Sequence, residues 1–103
     1  MTVKHYNKLV RDRIPEVIEE TGKTFSYRTA TQTEYKNALL DKLLEEVIEF
    51  REDPSPQELG DILEVIDALK KEYKLMSSFA DQIAKRVTLG AFDKKIILEW
   101  VEE

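Results

Sequence analysis

The amino-acid sequence predicts a mainly α-helical protein, on three observations. Apolar residues recur at helical spacing along two long central stretches, a capping signature stands at the head of each, and an Asp53-Pro54-Ser55-Pro56 break separates them. With 103 residues the chain is expected to form one domain, 1–103. A domain of this size buries only about 60–70% of the surface its unfolded chain exposes. A bundle of two or three core helices is therefore expected to be completed by a second copy, as a homodimer or higher homo-oligomer.

The elements follow in order. The stretch 6–13 is basic, and Ile14-Pro15-Glu16 opens a helix with Pro15 in its first turn. That helix runs to about Thr21 and stops at Gly22, a natural C′ residue. Residues 23–29 alternate, with Phe25 and Tyr27 on one face, and read as a short strand. Thr31-Gln32-Thr33-Glu34 fits a capping box and starts a long helix to about Asp53. Ser55-Pro56-Gln57-Glu58 fits a second one, opening a helix to about Lys74. A further helix is expected from Ser78 to about Val87, Gly90 ends that region, and residues 95–101 read as a second short strand. The two strands, from opposite ends of the chain, are candidates to pair as a small two-stranded β element.

Composition narrows the chemistry. There is no cysteine, which excludes disulfides, thiolate catalysis and cysteine-based metal centres. The single histidine, His5, cannot build a multi-histidine metal site. No apolar run approaches the roughly 18–20 residues of a membrane span, and the start of the chain has no signal-peptide core. No membrane partner is expected, and the cytoplasm is the expected location. Net charge is −5, distributed unevenly: from Asp41 to Asp67, ten acids face only Lys42 and Arg51, a local charge of −8. A binder of nucleic-acid polymers shows the opposite, a basic face. An acidic centre with basic flanks suits hard cations and an anionic substrate that reaches them.

At about 100° per residue, Glu46 falls on the apolar line of Leu39, Leu43 and Phe50, and Glu49 lies one step round. In the next helix Glu58 precedes Ile62 and Val65 by four and seven residues, and Asp61 lies beside it. Ile62, Val65, Ile66 and Leu69 form that helix's apolar face. Glu64 and Asp67 point to the opposite side. Acids at i, i+3 are common on solvated faces, and Glu58 has a structural role open to it as the N3 residue of a capping box. Two inward pairs on consecutive antiparallel helices are rarer. Four partly desolvated carboxylates repel one another and resist ionisation. A cation among Glu46, Glu49, Glu58 and Asp61 relieves this, and oxygen-only ligation selects Mg²⁺, Mn²⁺ or Ca²⁺.

Glu45-Glu46-Val47-Ile48-Glu49 matches an EExxE motif and Glu58-Leu59-Gly60-Asp61 an ExxD motif. Together they resemble the MazG-like, all-α nucleoside triphosphate pyrophosphohydrolases. The stretch Tyr6-Asn7-Lys8-Leu9-Val10-Arg11-Asp12-Arg13-Ile14-Pro15 is similar to the opening of their phosphoribosyl-ATP pyrophosphohydrolase-like branch. One feature departs from that branch: its arginine-glycine-glycine-phenylalanine-like turn is replaced by Leu89-Gly90-Ala91-Phe92, with Arg86 three residues earlier. The resemblance implies a MazG-like bundle and Mg²⁺-dependent hydrolysis of a nucleotide between its α- and β-phosphates, with Mn²⁺ as an alternative ion. Monophosphate and pyrophosphate are the implied products, and clearing of non-canonical nucleotides is an associated role.

On this reading Glu46, Glu49, Glu58 and Asp61 hold the metal, and Glu45 or Glu49 accepts a proton from the attacking water. The remaining phosphate charge falls to Lys42, which shares the Glu46 face, then to Lys8 and Arg11, and then to Lys85, Arg86 and Lys95. Lys42 is equally suited to a plain i, i+4 pair with Glu46. Tyr6, Phe92 and Trp100 are candidates to stack a base, although such aromatics more often belong to a core. Two other readings remain: a phosphoribosyl-ATP pyrophosphohydrolase of histidine biosynthesis, and a non-catalytic helical interaction module.

Overall fold

A computed structural model describes residues 2–102 and contains four helices: α1 (Ile14–Glu20), α2 (Gln32–Glu52), α3 (Pro56–Glu72) and α4 (Ser78–Leu89). Residues 1 and 103, the two ends of the expected single domain, lie outside the described residues.

The signals that start and stop these helices are local. Pro15 sits in the first turn of α1, and Gly22, with φ +76°, follows its end. The α2 N-terminus is a complete capping box. The Thr31 hydroxyl accepts from the Glu34 N–H at 3.3 Å, and the Glu34 carboxylate accepts from the Thr31 N–H at 3.2 Å. At the head of α3 only half of the expected box forms. The Ser55 hydroxyl accepts from the Glu58 N–H at 3.2 Å, but the Glu58 carboxylate does not turn back to Ser55. Helix α4 runs two residues beyond its expected end and stops at Gly90, φ +86°, whose N–H donates to the Arg86 carbonyl.

Only three residues, 53–55, join α2 to α3, and a connection that short makes the helices antiparallel neighbours. Contacts at the far end agree. The Lys36 ammonium lies 5.3 Å from the Tyr73 ring centre, and Gln32 is hydrogen-bonded to Glu72. This hairpin is the one extensive helix–helix packing among the described residues. Its interior is small: among the described residues Leu39 and Val65 are the buried apolar ones, and Glu46 is buried with them at 5% exposure.

Each helix of the hairpin carries a second apolar stripe that nothing among the described residues covers. On α2 it is Leu40, Leu44, Val47 and Ile48, and on α3 it is Leu59, Leu63 and Ile66. The chain exposes 9982 Å² at a mass of 12.1 kDa, whereas a folded monomer of that mass exposes about 6,000 Å². Its radius of gyration is 18.7 Å, against about 13 Å for a compact domain of this length.

Neither expected strand is present among the described residues; 23–29 and 95–101 are irregular. Phe25 and Tyr27 do share a face, with stacked rings 5.9 Å apart. Among the described residues, however, neither segment has a partner strand, and the Lys23 and Lys95 N–H groups bond only to the adjacent turns. Alternation supplies a face, while a strand also needs a ladder. No described helix is long and apolar enough to cross a membrane.

Candidate metal centre

Helix α2 presents Glu46 on the face that packs against α3, and the first turns of α3 present Glu58 and Asp61 to meet it. One carboxylate oxygen from each lies within 4.8 Å of the other two. Two further facts distinguish this group from an ordinary acidic surface. Glu46 is buried, and Glu46 Oε2 and Glu58 Oε2 are both buried without a hydrogen-bond partner. Because the α3 capping box is only half formed, the Glu58 carboxylate is spared for this cluster. An unpartnered buried carboxylate oxygen is costly, and burial pushes the Glu46 carboxyl above its ordinary range. Lys42 offsets part of that rise and the neighbouring Glu49 adds to it. An all-oxygen donor set with two orphaned oxygens fits a hard divalent cation.

Glu49, expected as a fourth ligand, lies beside Glu46 but outside this three-carboxylate group, and forms no ion pair among the described residues. Glu45 faces a different set of partners. Lys8 Nζ lies 2.7 Å from Glu45 Oε1 and Lys42 Nζ 3.7 Å from Oε2. The hydrogen bond from Lys8 holds the Glu45 carboxyl below its ordinary range. Lys42 Nζ also lies 3.3 Å from Glu46 Oε1, so the i, i+4 pair forms.

The segment before α1 closes over this face. Asn7 takes a left-handed turn, φ +47°, a conformation asparagine tolerates. Lys8 then reaches Glu45, and Arg11 donates to Asp61 Oδ1 at 2.7 Å. Sequence reasoning placed both cations near substrate but missed that they pair with the carboxylates. The signal was present as a basic stretch ahead of a segment of charge −8. A cleft of about 90 Å³ lies beside the Lys8–Glu45 pair, lined by Asn7, Lys8, Leu9, Asp41, Lys42 and Glu45.

The C-terminal candidates are not brought to the cluster. Lys85, Arg86 and Lys95 form no ion pair or hydrogen bond with it, because α4 and the residues after it do not pack extensively on the hairpin. The aromatics expected to be core residues are not: Tyr6, Phe92 and Trp100 are all exposed, Phe92 at 95%.

Comparison with known proteins adds little to this geometry. No protein-family model matches the chain, and no solved structure matches it. A protein of Mycolicibacterium smegmatis, described only as an uncharacterized protein, is 54% identical over 44 residues. The aligned stretch covers 43% of this chain and 45% of that protein, so the match spans less than half of either.

Proposed function

We propose that this protein is a Mg²⁺-dependent nucleoside triphosphate pyrophosphohydrolase of the MazG-like kind. The observation that carries the reading is the convergence of Glu46, Glu58 and Asp61 from two helices, with two buried carboxylate oxygens left unpartnered. These three residues hold the ion. Mn²⁺ is an acceptable substitute, since oxygen ligands suit both. A bound Mg²⁺ supplies charge neutralisation between the carboxylates and a polyphosphate, and activates water.

The chain's own residues divide the remaining work. Glu45 is held by Lys8 and Lys42 and is a weak proton acceptor. Glu49, beside Glu46 and free of ion pairs among the described residues, is the better candidate to take the water's proton. Lys8, Arg11 and Lys42 stand at the edge of the acidic group, where phosphate oxygens would arrive. One water is consumed, the bond between the α- and β-phosphates breaks, and monophosphate and pyrophosphate leave.

The active species on this reading is a homodimer or larger assembly. The 90 Å³ cleft falls short of the roughly 300–1,000 Å³ of a small-molecule pocket. The chain exposes about 4,000 Å² more than a compact monomer of its mass, part of it on the two exposed stripes of the hairpin. A second hairpin laid on the Leu40–Leu44–Val47 and Leu59–Leu63–Ile66 stripes would make a four-helix bundle and wall the site.

The deciding experiment incubates the purified protein with Mg²⁺ and a panel of standard and modified nucleoside triphosphates, with Glu46→Gln as control. Pyrophosphate and monophosphate formed only by the unmutated protein support the assignment and identify the base. Release of orthophosphate instead places the cleavage at another bond and overturns it.

A further inference from the structure

The N-terminal segment holds the carboxylate face through two contacts that differ in kind. Lys8 pairs with Glu45, which lies outside the Glu46–Glu58–Asp61 group, whereas Arg11 pairs with Asp61, one of its three members. Both cations are about half exposed, at 45% and 56%. An ion pair in that setting contributes little and exchanges readily. The cluster that Arg11 touches is of a different sort, since buried Glu46 and half-buried Glu58 each present an oxygen with no partner. A cation entering there gains three carboxylates at once and meets Arg11 as its competitor for the third.

We propose that Arg11 is a displaceable internal counterion: it occupies Asp61 until a divalent cation enters the Glu46–Glu58–Asp61 cluster, and is then released toward the phosphate oxygens of the incoming nucleotide. Lys8 keeps its partner in the exchange, because Glu45 lies outside the cluster and no entering cation contests it. The proposal rests on the cation-site reading above and adds how that site is guarded and handed over. Arg11 follows Lys8 by three positions in the chain, a reach of about 10–11 Å when fully extended. The freed guanidinium therefore stays at the site while Lys8 holds. Its planar fork suits two phosphate oxygens as well as it suits a carboxylate. Cation loading and phosphate recognition are thereby coupled through one side chain.

The test uses the full chain and two readouts. Mn²⁺ binding is followed by the electron paramagnetic resonance of the free ion for the unmutated protein, Arg11→Met and Arg13→Met. Arg13 pairs with Glu16, away from the cluster, and serves as the charge control. Separately, the Arg11 Nε–H resonance, assigned by its loss in Arg11→Met, is followed as Mg²⁺ is added. The expected result is Mn²⁺ affinity about two- to fivefold tighter in Arg11→Met and unchanged in Arg13→Met. The Arg11 resonance should move with the midpoint of Mg²⁺ binding, and should not respond in Asp61→Asn. Binding by the unmutated protein with an unmoved Arg11 resonance, or equal affinities in all three proteins, overturns the counterion role while the cation site stands. No Mn²⁺ binding by the unmutated protein removes the cation site and the counterion role together.

Discussion

Lys42 and Glu46 lie one turn apart on α2, with Lys42 Nζ 3.3 Å from Glu46 Oε1 and Glu46 Oε2 left buried without a partner. The pair is therefore half satisfied. One oxygen is neutralised from within the helix and the other is held ready for a partner from outside, on the face that meets α3. Such an arrangement costs stability when nothing binds.

The sign of that cost is testable. Burial raises the Glu46 carboxyl above its ordinary value, so folding favours the protonated form. Without added cation, its contribution is most favourable below the unfolded value of about 4.5 and falls as pH rises through the folded value. Glu46→Gln should flatten this decline and raise the cation-free melting temperature at neutral pH. It should also abolish stabilisation by Mg²⁺ and lower turnover at least about 100-fold. Thermal melts at several pH values, with and without Mg²⁺, check all three; a variant that keeps its Mg²⁺ response contradicts the assignment. Glu45→Gln should act in the opposite sense. Its carboxyl is held low by Lys8, so its contribution is present above about pH 4.5 and lost on acidification.

Assembly makes the second prediction. Leu44 is 64% exposed and Leu63 is 53% exposed, each in the middle of an uncovered stripe. Light scattering should give at least twice the 12.1 kDa chain mass for the unmutated protein. Leu44→Glu and Leu63→Glu should each lower that mass toward one chain and reduce activity with it. A monomer that is fully active at micromolar concentration rules the bundle reading out.

What the sequence made legible was local chemistry and the face each helix turns inward. Thr31 and Glu34 marked the start of α2, and the 53–55 break forced an antiparallel hairpin. Helical spacing then placed Glu46, Glu58 and Asp61 together on its inner side, although it counted Glu49 with them, which lies outside the group. The strands at 23–29 and 95–101 were misread because their alternation is a property of one segment, whereas pairing depends on a second. The basic residues of α4 are not brought to the cluster, for a related reason. Spacing says which way Lys85 and Arg86 point on their own helix, not whether that helix docks. The N-terminal contacts lie between these cases: the charges were visible, but the fifty-residue span from Arg11 to Asp61 was not.

The helix α2 cap gives a prediction free of any assumption about function. Two hydrogen bonds from Arg28, and one from the Thr31 N–H, hold the Glu34 carboxyl down to about 2. A lowered value means that the contribution is fully present above about pH 4.5 and fades as pH falls toward 2. Acid titration followed by circular dichroism should show this limb in the unmutated protein and its loss in Glu34→Gln. Thr31→Ala should cost about 1 kcal/mol at neutral pH. An identical acid limb in Glu34→Gln would assign that limb to other carboxylates.

The head of α3 allows two roles of neighbouring residues to be separated. Ser55 caps the helix through the Glu58 N–H, a backbone group, while the Glu58 side chain is released from capping and points into the cluster. Ser55→Ala should therefore lower stability by about 1 kcal/mol with or without Mg²⁺, and leave cation affinity nearly unchanged. Glu58→Gln retains the backbone donor, so α3 should keep its cap and its cation-free stability should hold or rise as one repelling charge leaves the cluster. Its Mg²⁺ affinity should fall at least about tenfold. Chemical denaturation of both variants, each with and without Mg²⁺, makes the comparison. If Glu58→Gln instead lost stability equally in both conditions, the carboxylate would be serving the helix end, and the cation site would be left with only Glu46 and Asp61.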